Sequence, residues 1–300
     1  MRGKKFFIKS EILRLIYKLT IFVLIVLSYI LCIPFLFIAI LFNCFNYDII
    51  CQKIVQFLGK NIWRLKEKIF LQTVRVSDFK GNLIDTNRLN KILSKKVEND
   101  KNVLFICNHL ASTDFLVVNF LLQCRSEIIR YIFKDSLKYI PIFYQLCSLG
   151  GFLKLKRNFE EDKQHINEYG KRNKGICLVL FPEGTRKNKN TLSKSVAFCK
   201  KTNIKPFKNV LMPRYKGFDV LINSGHFQSL LDVTMFYSKD GKIDQPTLLD
   251  FIFSTKIFDL KLEYDYIDCS EIQKNGCKEF IIDLFRKKDN LLDFEFQKQK

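Results

Sequence analysis

The longest apolar segment of the chain lies near its N-terminus. Residues 19–47 contain no charged side chain, whereas about 20 such residues suffice to cross the hydrocarbon core of a bilayer. Pro34 falls in the middle of this segment and predicts a kink. Both flanks are basic, so the positive-inside rule selects no orientation. The pattern predicts a membrane-anchoring helix that either spans the bilayer or turns back near Pro34 as a re-entrant hairpin.

The periodicity changes after this segment. Residues 49–69 place apolar side chains three and four positions apart, which predicts an amphipathic helix with a basic face. Residues 71–77 alternate as a strand does, and residues 82–100 predict a polar helix followed by a linker. Two later runs, 103–107 and 175–181, are short and apolar, which is typical of strands buried on both faces. The predicted fold class is therefore α/β, with a mixed, largely parallel sheet flanked by helices.

The net charge is distributed unevenly along the chain. The 300 residues carry a formal charge of +20, from 50 Lys and Arg against 30 Asp and Glu. Residues 240–300 hold 10 basic and 13 acidic side chains, so the first 239 residues carry +23. Such a surplus indicates a polyanionic partner, which could be nucleic acid, anionic lipid headgroups or a phosphorylated substrate. The 48% of hydrophobic residues excludes a disordered chain.

The ten cysteines show no paired spacing and no Cys-x-x-Cys motif. A chain of this length needs no disulfide framework to stabilise its core. We therefore expect all ten thiols to be reduced, as in a protein that faces the cytosol.

The first candidate site follows the strand predicted at residues 103–107. His109 and Asp114 lie five positions apart, in a loop from which Ser112 or Thr113 could cap the helix predicted at residues 115–123. This spacing lets the carboxylate reach the imidazole and select its tautomer, and a histidine held in this way can act as a general base. The spacing alone is weakly specific, and a purely structural role for the pair stays open.

The second candidate site follows the strand predicted at residues 175–181. Gly184 allows backbone N–H groups to approach a ligand, and Arg186 presents a planar set of donors that suits phosphate. Seven lysines between positions 187 and 208 add positive charge around this turn. Glu183 could either pair with Arg186 or contact the ligand directly.

These motifs resemble those of the glycerolipid acyltransferases typified by the 1-acylglycerol-3-phosphate (lysophosphatidate) acyltransferases. The resemblance rests on four ordered blocks between about residues 70 and 290: Asn108-His109-x4-Asp114, Gly151–Arg157 with its following acidic residues, Phe181–Arg186 and Val210–Phe218. The acidic run, the fourth block and the C-terminal part are most similar to the eukaryotic branch that includes the lysocardiolipin acyltransferases.

The resemblance implies a glycerolipid acyltransferase-like fold with an N-terminal membrane-anchoring helical segment. It implies three parts: a basic N-terminus with the membrane segment and amphipathic helix (1–69), an acyltransferase domain (70–239), and a C-terminal α/β extension packed on the catalytic body (240–300).

The resemblance also implies roles for individual residues. His109 would remove the proton of a lysophospholipid hydroxyl as it attacks an acyl-CoA, and Asp114 would orient His109. A further set would bind substrate, with Pro213 on the acyl-donor side and the others at the acceptor phosphate: Glu183, Gly184, Thr185, Arg186, Lys156, Arg157 and Pro213. Which basic residue of the second block meets phosphate stays open. No metal and no cofactor besides acyl-CoA as co-substrate are expected.

The predicted function is acyl transfer to a lysophospholipid, most readily 1-acylglycerol-3-phosphate, with lysocardiolipin or another lysophospholipid as the alternative acceptor. We expect the partners to be these two substrates and the lipid bilayer, with no nucleic acid and no obligate protein partner, and the location to be the endoplasmic reticulum membrane. A non-catalytic, membrane-anchored basic binding protein is the competing class. It would explain the charge but gives no reason for the His109 and Asp114 pair or for the turn at residues 182–186.

Overall fold

Eight strands form one sheet in the computed structural model, which describes residues 8–45, 47–123, 125, 127–139, 143–156 and 158–298. The strands are β1 Val74–Ser77, β2 Asn102–Cys107, β3 Ile129–Lys134, β4 Leu153–Leu155, β5 Cys177–Leu180, β6 Phe227–Lys239, β7 Lys242–Ile243 and β8 Phe258–Asp268. Their order is β1-β8-β6-β2-β5-β3-β4, and β7 pairs with β6. Strands β2 to β6 run parallel to one another, whereas β8 is antiparallel to β6 and parallel to β1. The predicted mixed, largely parallel α/β fold is confirmed.

Eleven helices in the described residues flank the sheet. They are α1 Glu11–Cys44, α2 Asp48–Thr73, α3 Thr86–Glu98, α4 Asp114–Leu121, α5 Phe143–Leu149, α6 Phe159–Arg172, α7 Lys189–Lys201, α8 Tyr215–Asn223, α9 Leu248–Phe253, α10 Cys269–Asn275 and α11 Cys277–Lys298. Alternate residues of β2 enter two different hydrophobic cores. Phe105 packs in the core shared with α1, α2, α4 and α9, and Leu104 packs in the core shared with α8 and α11. A strand covered on both faces must be apolar at every position, which explains the unbroken run at residues 103–107.

Helices α1 and α2 form an antiparallel hairpin. The thiol of Cys51 donates to the carbonyl of Ala39 at 3.0 Å, and the Lys66 ammonium lies 2.9 Å from the Tyr29 hydroxyl. Helix α1 continues through Pro34, and the chain reverses after Cys44, so a turn near Pro34 is not formed. Proline removes one helical hydrogen bond, which a long apolar helix tolerates. In the described part of the chain, α1 is the one helix long and apolar enough to cross a membrane.

One local expectation changes in the structure. The strand predicted from Leu71 begins at Val74, because α2 extends to Thr73, whose hydroxyl donates to the Ile69 carbonyl at 3.0 Å.

The nine cysteines within the described residues are free thiols, and Cys124 lies outside those residues. Eight of the nine are buried, so they act as small apolar side chains in the cores.

A buried ion pair fastens α11 to the sheet. The ammonium of Lys288 lies 2.7 Å from a carboxylate oxygen of Asp232 on β6 and donates to the carbonyl of Val233 at 2.6 Å. Lys288 is 2% exposed and Asp232 is 7% exposed. Burial raises the pKa of Asp232, and the Lys288 charge opposes that rise. Each charge is therefore tolerated in the core because of the other.

We expect Lys288→Met to destabilise the fold by about 3–5 kcal/mol, because it leaves Asp232 buried without its counter-charge. Thermal or urea unfolding of the detergent-solubilised protein would measure this loss. The matched control is the double variant Lys288→Met with Asp232→Leu, which removes both charges and should recover most of the stability. Equal stability of the single variant and the wild type would contradict the structural role of the pair.

Candidate active site

The loop after β2 holds a histidine against a buried carboxylate. The Nδ1 atom of His109 lies 2.9 Å from Oδ2 of Asp114, and Asp114 is fully buried. The same Oδ2 accepts the backbone N–H groups of Leu110 at 2.7 Å and Ala111 at 2.9 Å. Three donors therefore converge on one oxygen, and the five-residue spacing read from the sequence produces this geometry.

The electrostatics of Asp114 select the tautomer of His109. Burial raises the pKa of Asp114, and the hydrogen bonds from His109 and the two backbone N–H groups oppose that rise. With Asp114 as acceptor, the imidazole proton lies on Nδ1, and Nε2 is left to accept a proton from a ligand. The imidazole is 21% exposed and stacks on the ring of Phe181, with 4.3 Å between the ring centroids.

The predicted capping of α4 by a hydroxyl is wrong. Thr113 occupies the N-cap position, but its side chain makes no capping hydrogen bond. Its hydroxyl instead donates to the carbonyl of Pro246 at 3.2 Å, in the segment that precedes α9. The hydroxyl is thus used for a tertiary contact, and Asp114 in the first turn supplies the negative charge that favours a helix N-terminus.

Asn108 fixes the start of the loop of residues 108–114, a role that the motif alone did not indicate. Its side-chain amide donates to the carbonyl of Met235 at 2.9 Å and accepts the N–H of the same residue at 2.8 Å. The Asn108 side chain is fully buried. This reciprocal pair attaches the loop to β6 at the point where β2 ends. A buried polar residue directly after an apolar strand was the available signal.

The turn after β5 meets the same loop. The N–H of His109 donates to Oε1 of Glu183 at 3.3 Å, and the N–H of Lys187 donates to the carbonyl of His109 at 3.1 Å. Glu183 is 2% exposed, so burial raises its pKa well above the ordinary value, while the backbone N–H groups of His109 and Leu211 oppose that rise. In the described structure Glu183 makes no ion pair with Arg186, so its carboxylate orients the His109 backbone instead.

Gly184 brings the fourth block of the sequence into the site. Its φ angle is +66°, and a Cβ atom at this position would lie 2.9 Å from Nε of Arg214. The Arg214 N–H donates to the carbonyl of Pro182 at 2.7 Å, and Pro213 beside it is buried. The Arg214 guanidinium therefore lies against the turn. Arg214 belongs to the fourth block of the sequence, but its contact with the turn could not be predicted from that block alone.

The remaining predicted residues are distributed more widely. Thr185 is half-buried and Arg186 is exposed, both in the turn beside Gly184. Lys156 follows β4 at the edge of the sheet, and its ammonium lies 2.9 Å from a carboxylate oxygen of Glu161. No contact in the described residues brings Lys156 to His109. Arg157 lies outside the described residues.

The other two histidines stand apart from this site. His165 is exposed on α6, and the ring of His226 packs against Gly170 of the same helix. In the part of the chain that the structure describes, no group of three His, Cys, Asp or Glu side chains could hold a metal ion. The His109 imidazole, held at Nδ1 by Asp114, can accept a proton at Nε2, and Arg186 and Lys187 give the neighbouring turn positive charge.

The sheet thus carries a histidine and aspartate pair at the end of β2 and a glycine turn at the end of the neighbouring β5. Residues 88–236, just under half of the chain, match the family model of the acyltransferases, so this segment is similar to an acyltransferase domain. The matched segment contains His109, Asp114, the turn at residues 182–186 and Arg214.

The chain is similar in sequence to three named acyltransferases. The chain is 29% identical over 212 residues to 1-acyl-sn-glycerol-3-phosphate acyltransferase epsilon of Mus musculus, which covers 65% of this chain and 58% of the relative. It is 27% identical over 208 residues to the probable 1-acyl-sn-glycerol-3-phosphate acyltransferase 5 of Arabidopsis thaliana, covering 66% and 54%. It is 27% identical over 170 residues to lysocardiolipin acyltransferase 1 of Gallus gallus, covering 51% and 43%. The chain thus spans about half the length of each relative.

We expect Glu183→Gln to become more stable relative to the wild type as the pH rises. Because burial raises the pKa of Glu183, the folded wild type binds more protons than the unfolded chain, and it loses stability from about pH 4.3 up to the raised pKa. A glutamine cannot ionise, yet its Oε1 atom can still accept the His109 N–H. Melting temperatures of both proteins across this pH range would measure the difference.

The control is Glu161→Gln, at an exposed carboxylate whose pKa is lowered by the hydrogen bond from Lys156. Its difference from the wild type should be small and of opposite sign. A difference for Glu183→Gln that does not change with pH would contradict the assignment of a buried, proton-retaining carboxyl group at the turn.

Proposed function

We propose that the chain transfers an acyl group from acyl-CoA to the free hydroxyl of a lysophospholipid, with 1-acylglycerol-3-phosphate as the preferred acceptor and phosphatidic acid as the product. The observation that carries this proposal is the 2.9 Å contact between His109 and the buried Asp114 at the end of β2. The acyltransferase family match and the names of the first two relatives support the reaction class and the acceptor.

In the proposed reaction, Nε2 of His109 removes the proton of the acceptor hydroxyl. The hydroxyl oxygen attacks the thioester carbonyl carbon, the new C–O ester bond forms, and the C–S bond breaks. The proton held on His109 then passes to the departing thiolate of coenzyme A. Asp114 stabilises the imidazolium in the interval, because its carboxylate lies in contact with Nδ1. No covalent acyl-enzyme and no cofactor besides the co-substrate are part of the proposal.

The acceptor phosphate is proposed to bind at the turn after β5. Gly184 has a positive φ angle and no side chain, and the Arg214 guanidinium occupies the space that a Cβ atom would take, so this glycine brings Arg214 against the turn. Arg186 and Arg214 are exposed there, and a guanidinium can donate two parallel hydrogen bonds to phosphate. Glu183 is buried and supports the turn rather than meeting the phosphate. Lys156 and Arg157 remain proposed only as assisting residues, and Pro213 as a residue of the acyl-donor side.

The α1–α2 hairpin is proposed to lie in the interface of one leaflet rather than to span the bilayer. Helix α1 is about 51 Å long at 1.5 Å per residue, longer than the hydrocarbon core. Helix α2 runs back along it and carries basic side chains over most of its length: Lys53, Lys60, Arg64, Lys66 and Lys68. A spanning α1 would draw these charges into hydrocarbon, whereas an interfacial hairpin leaves them at the headgroups.

Lysocardiolipin is the second candidate acceptor, because the likeness extends to lysocardiolipin acyltransferase 1 over 51% of this chain. Both acceptors present a phosphate beside a free hydroxyl, and the same turn could bind that phosphate.

The endoplasmic reticulum is the proposed membrane for phosphatidic acid synthesis. A panel of lysophospholipids assayed with one acyl-CoA separates the acceptors, and the binding-protein class predicts no turnover with any of them.

We expect His109→Ala to reduce acyl transfer at least about 100-fold, because the variant lacks the base that removes the hydroxyl proton. Radiolabelled acyl-CoA and 1-acylglycerol-3-phosphate, supplied to purified membranes, would measure the rate. His165→Ala removes an exposed histidine of α6 and should keep the wild-type rate. Turnover of His109→Ala at the wild-type level, with membrane binding intact, would refute the catalytic role.

We expect Gly184→Ala to raise the KM for the phosphorylated acceptor roughly tenfold, because the new methyl group displaces the Arg214 guanidinium and weakens a charge-assisted hydrogen bond. The control is Gly225→Ala, at a residue with a φ of +71° and no atom within 4 Å of the added methyl group. The Gly225→Ala variant introduces similar backbone strain, but its new methyl group displaces no other side chain. An equal loss with the phosphate-free acceptor monoacylglycerol would count against phosphate binding at this turn.

A further inference from the structure

Helix α9 carries exposed apolar side chains that no role described above uses. Leu248 is 49% exposed, Leu249 is 65% exposed and Phe253 is 54% exposed, and Ile243 of the preceding β7 is 48% exposed. The inward side of α9 is closed, since Phe251 is buried and its ring stacks on Phe70 of α2 with 5.9 Å between centroids. The exposed residues therefore form the outer face of α9, whose inner face packs in the core.

This outer face continues the apolar surface of α1. The ring of Phe253 lies edge-on against that of Phe22, with 6.3 Å between the centroids. In the same part of α1, the side chains of Ile12, Leu13 and Ile16 are more than half exposed. Such a run of exposed apolar surface across two elements is typical of an interaction site.

Buried polar contacts hold α9 in this position. The Lys18 ammonium donates to the carbonyls of Asp250 at 2.9 Å and Ser254 at 2.7 Å, which lie near the end of α9. The Arg14 guanidinium donates to the carbonyl of Thr255. Lys18 is fully buried in this contact. Because the side chain of Lys18 satisfies the helix end, α9 keeps a fixed orientation relative to α1.

We propose that α9 is a second bilayer contact, whose outer face of Leu248, Leu249 and Phe253 enters the acyl-chain region of the leaflet that holds α1. The proposal rests on the interfacial position of the hairpin given under the proposed function. The occupant is lipid because the face is continuous with the candidate membrane helix and carries no charge. Exposed charged side chains of both signs flank this face at positions 240, 242, 244 and 256, where the polar headgroup region would solvate them.

This contact would set the position of the catalytic loop relative to the bilayer. The carbonyl of Pro246, two residues before α9, accepts the hydroxyl of Thr113, which directly precedes Asp114. The segment that leads into α9 is thus bonded to the loop that carries His109. With α9 in the leaflet, an acceptor could reach His109 while its acyl chain stays in the bilayer.

The test uses tryptophan fluorescence quenched by brominated lipid. The chain has a single tryptophan, Trp63, so Trp63→Phe gives a background without signal. Three reporters are placed in it: Leu249→Trp on α9, Phe37→Trp on α1 and Phe294→Trp on α11, where the native side chains are 65%, 64% and 55% exposed. Helix α11 packs on the opposite face of the sheet from α9, so its reporter is the matched negative control.

The probes are vesicles of brominated phosphatidylcholine mixed with phosphatidylglycerol. The expected result is at least twofold quenching of the Leu249→Trp and Phe37→Trp reporters and none of Phe294→Trp. Quenching of Phe37→Trp without Leu249→Trp would overturn the α9 contact alone, and would leave the hairpin in the membrane. Quenching of neither would overturn the proposed membrane position and the α9 contact together. Equal quenching of all three would also overturn the inference, since it indicates no preferred face.

Discussion

The desolvation of one carboxylate constrains the whole candidate site. Asp114 is removed from water completely, which is costly for a charge unless donors surround it. The loop meets this cost with two backbone N–H groups and the His109 imidazole. The loop must therefore close tightly around Asp114, and that closure fixes the imidazole. The buried Asp114 thus closes the loop and orients the His109 imidazole through the same hydrogen bonds.

The need to keep the Asp114 loop closed also involves the two strands beside β2, which are β5 and β6. Strands β5 and β6 lie on either side of β2, so the turn after β5 and the body of β6 flank the Asp114 loop. The Asn108 amide attaches it to Met235 of β6, and the backbone of Lys187 attaches it to the turn after β5. A loop that contains a buried carboxylate would otherwise open to solvent. The parallel sheet supplies the partners because its strands end at one edge.

Much of this arrangement could be predicted from the sequence, and the reason is locality. His109 and Asp114 share one loop, so their contact follows from a spacing of five residues. The role of Glu183 could not be predicted, because its buried position and its bond to the His109 N–H depend on how two strands pair. The approach of Arg214 to Gly184 likewise joins segments 30 residues apart. The reversal after Cys44, rather than at Pro34, reflects the packing of α2 along α1, which no local pattern encodes.

The proposed position of the hairpin and the charge of the chain both fit the proposed substrates. A lysophospholipid keeps its acyl chain in the leaflet and presents its phosphate at the surface, so an enzyme that acts on it needs an apolar surface and a cationic turn at different depths. Helices α1 and α9 provide apolar surface on one side of the sheet, and Gly184, Arg186 and Arg214 lie at the strand ends. Lys18 links α1 to α9, and Thr113 links the segment before α9 to the loop of residues 108–114. Hydrogen bonds and short backbone segments therefore connect α1 to the loop of His109, so that under the proposed function the depth of α1 in the leaflet would set the depth of the imidazole.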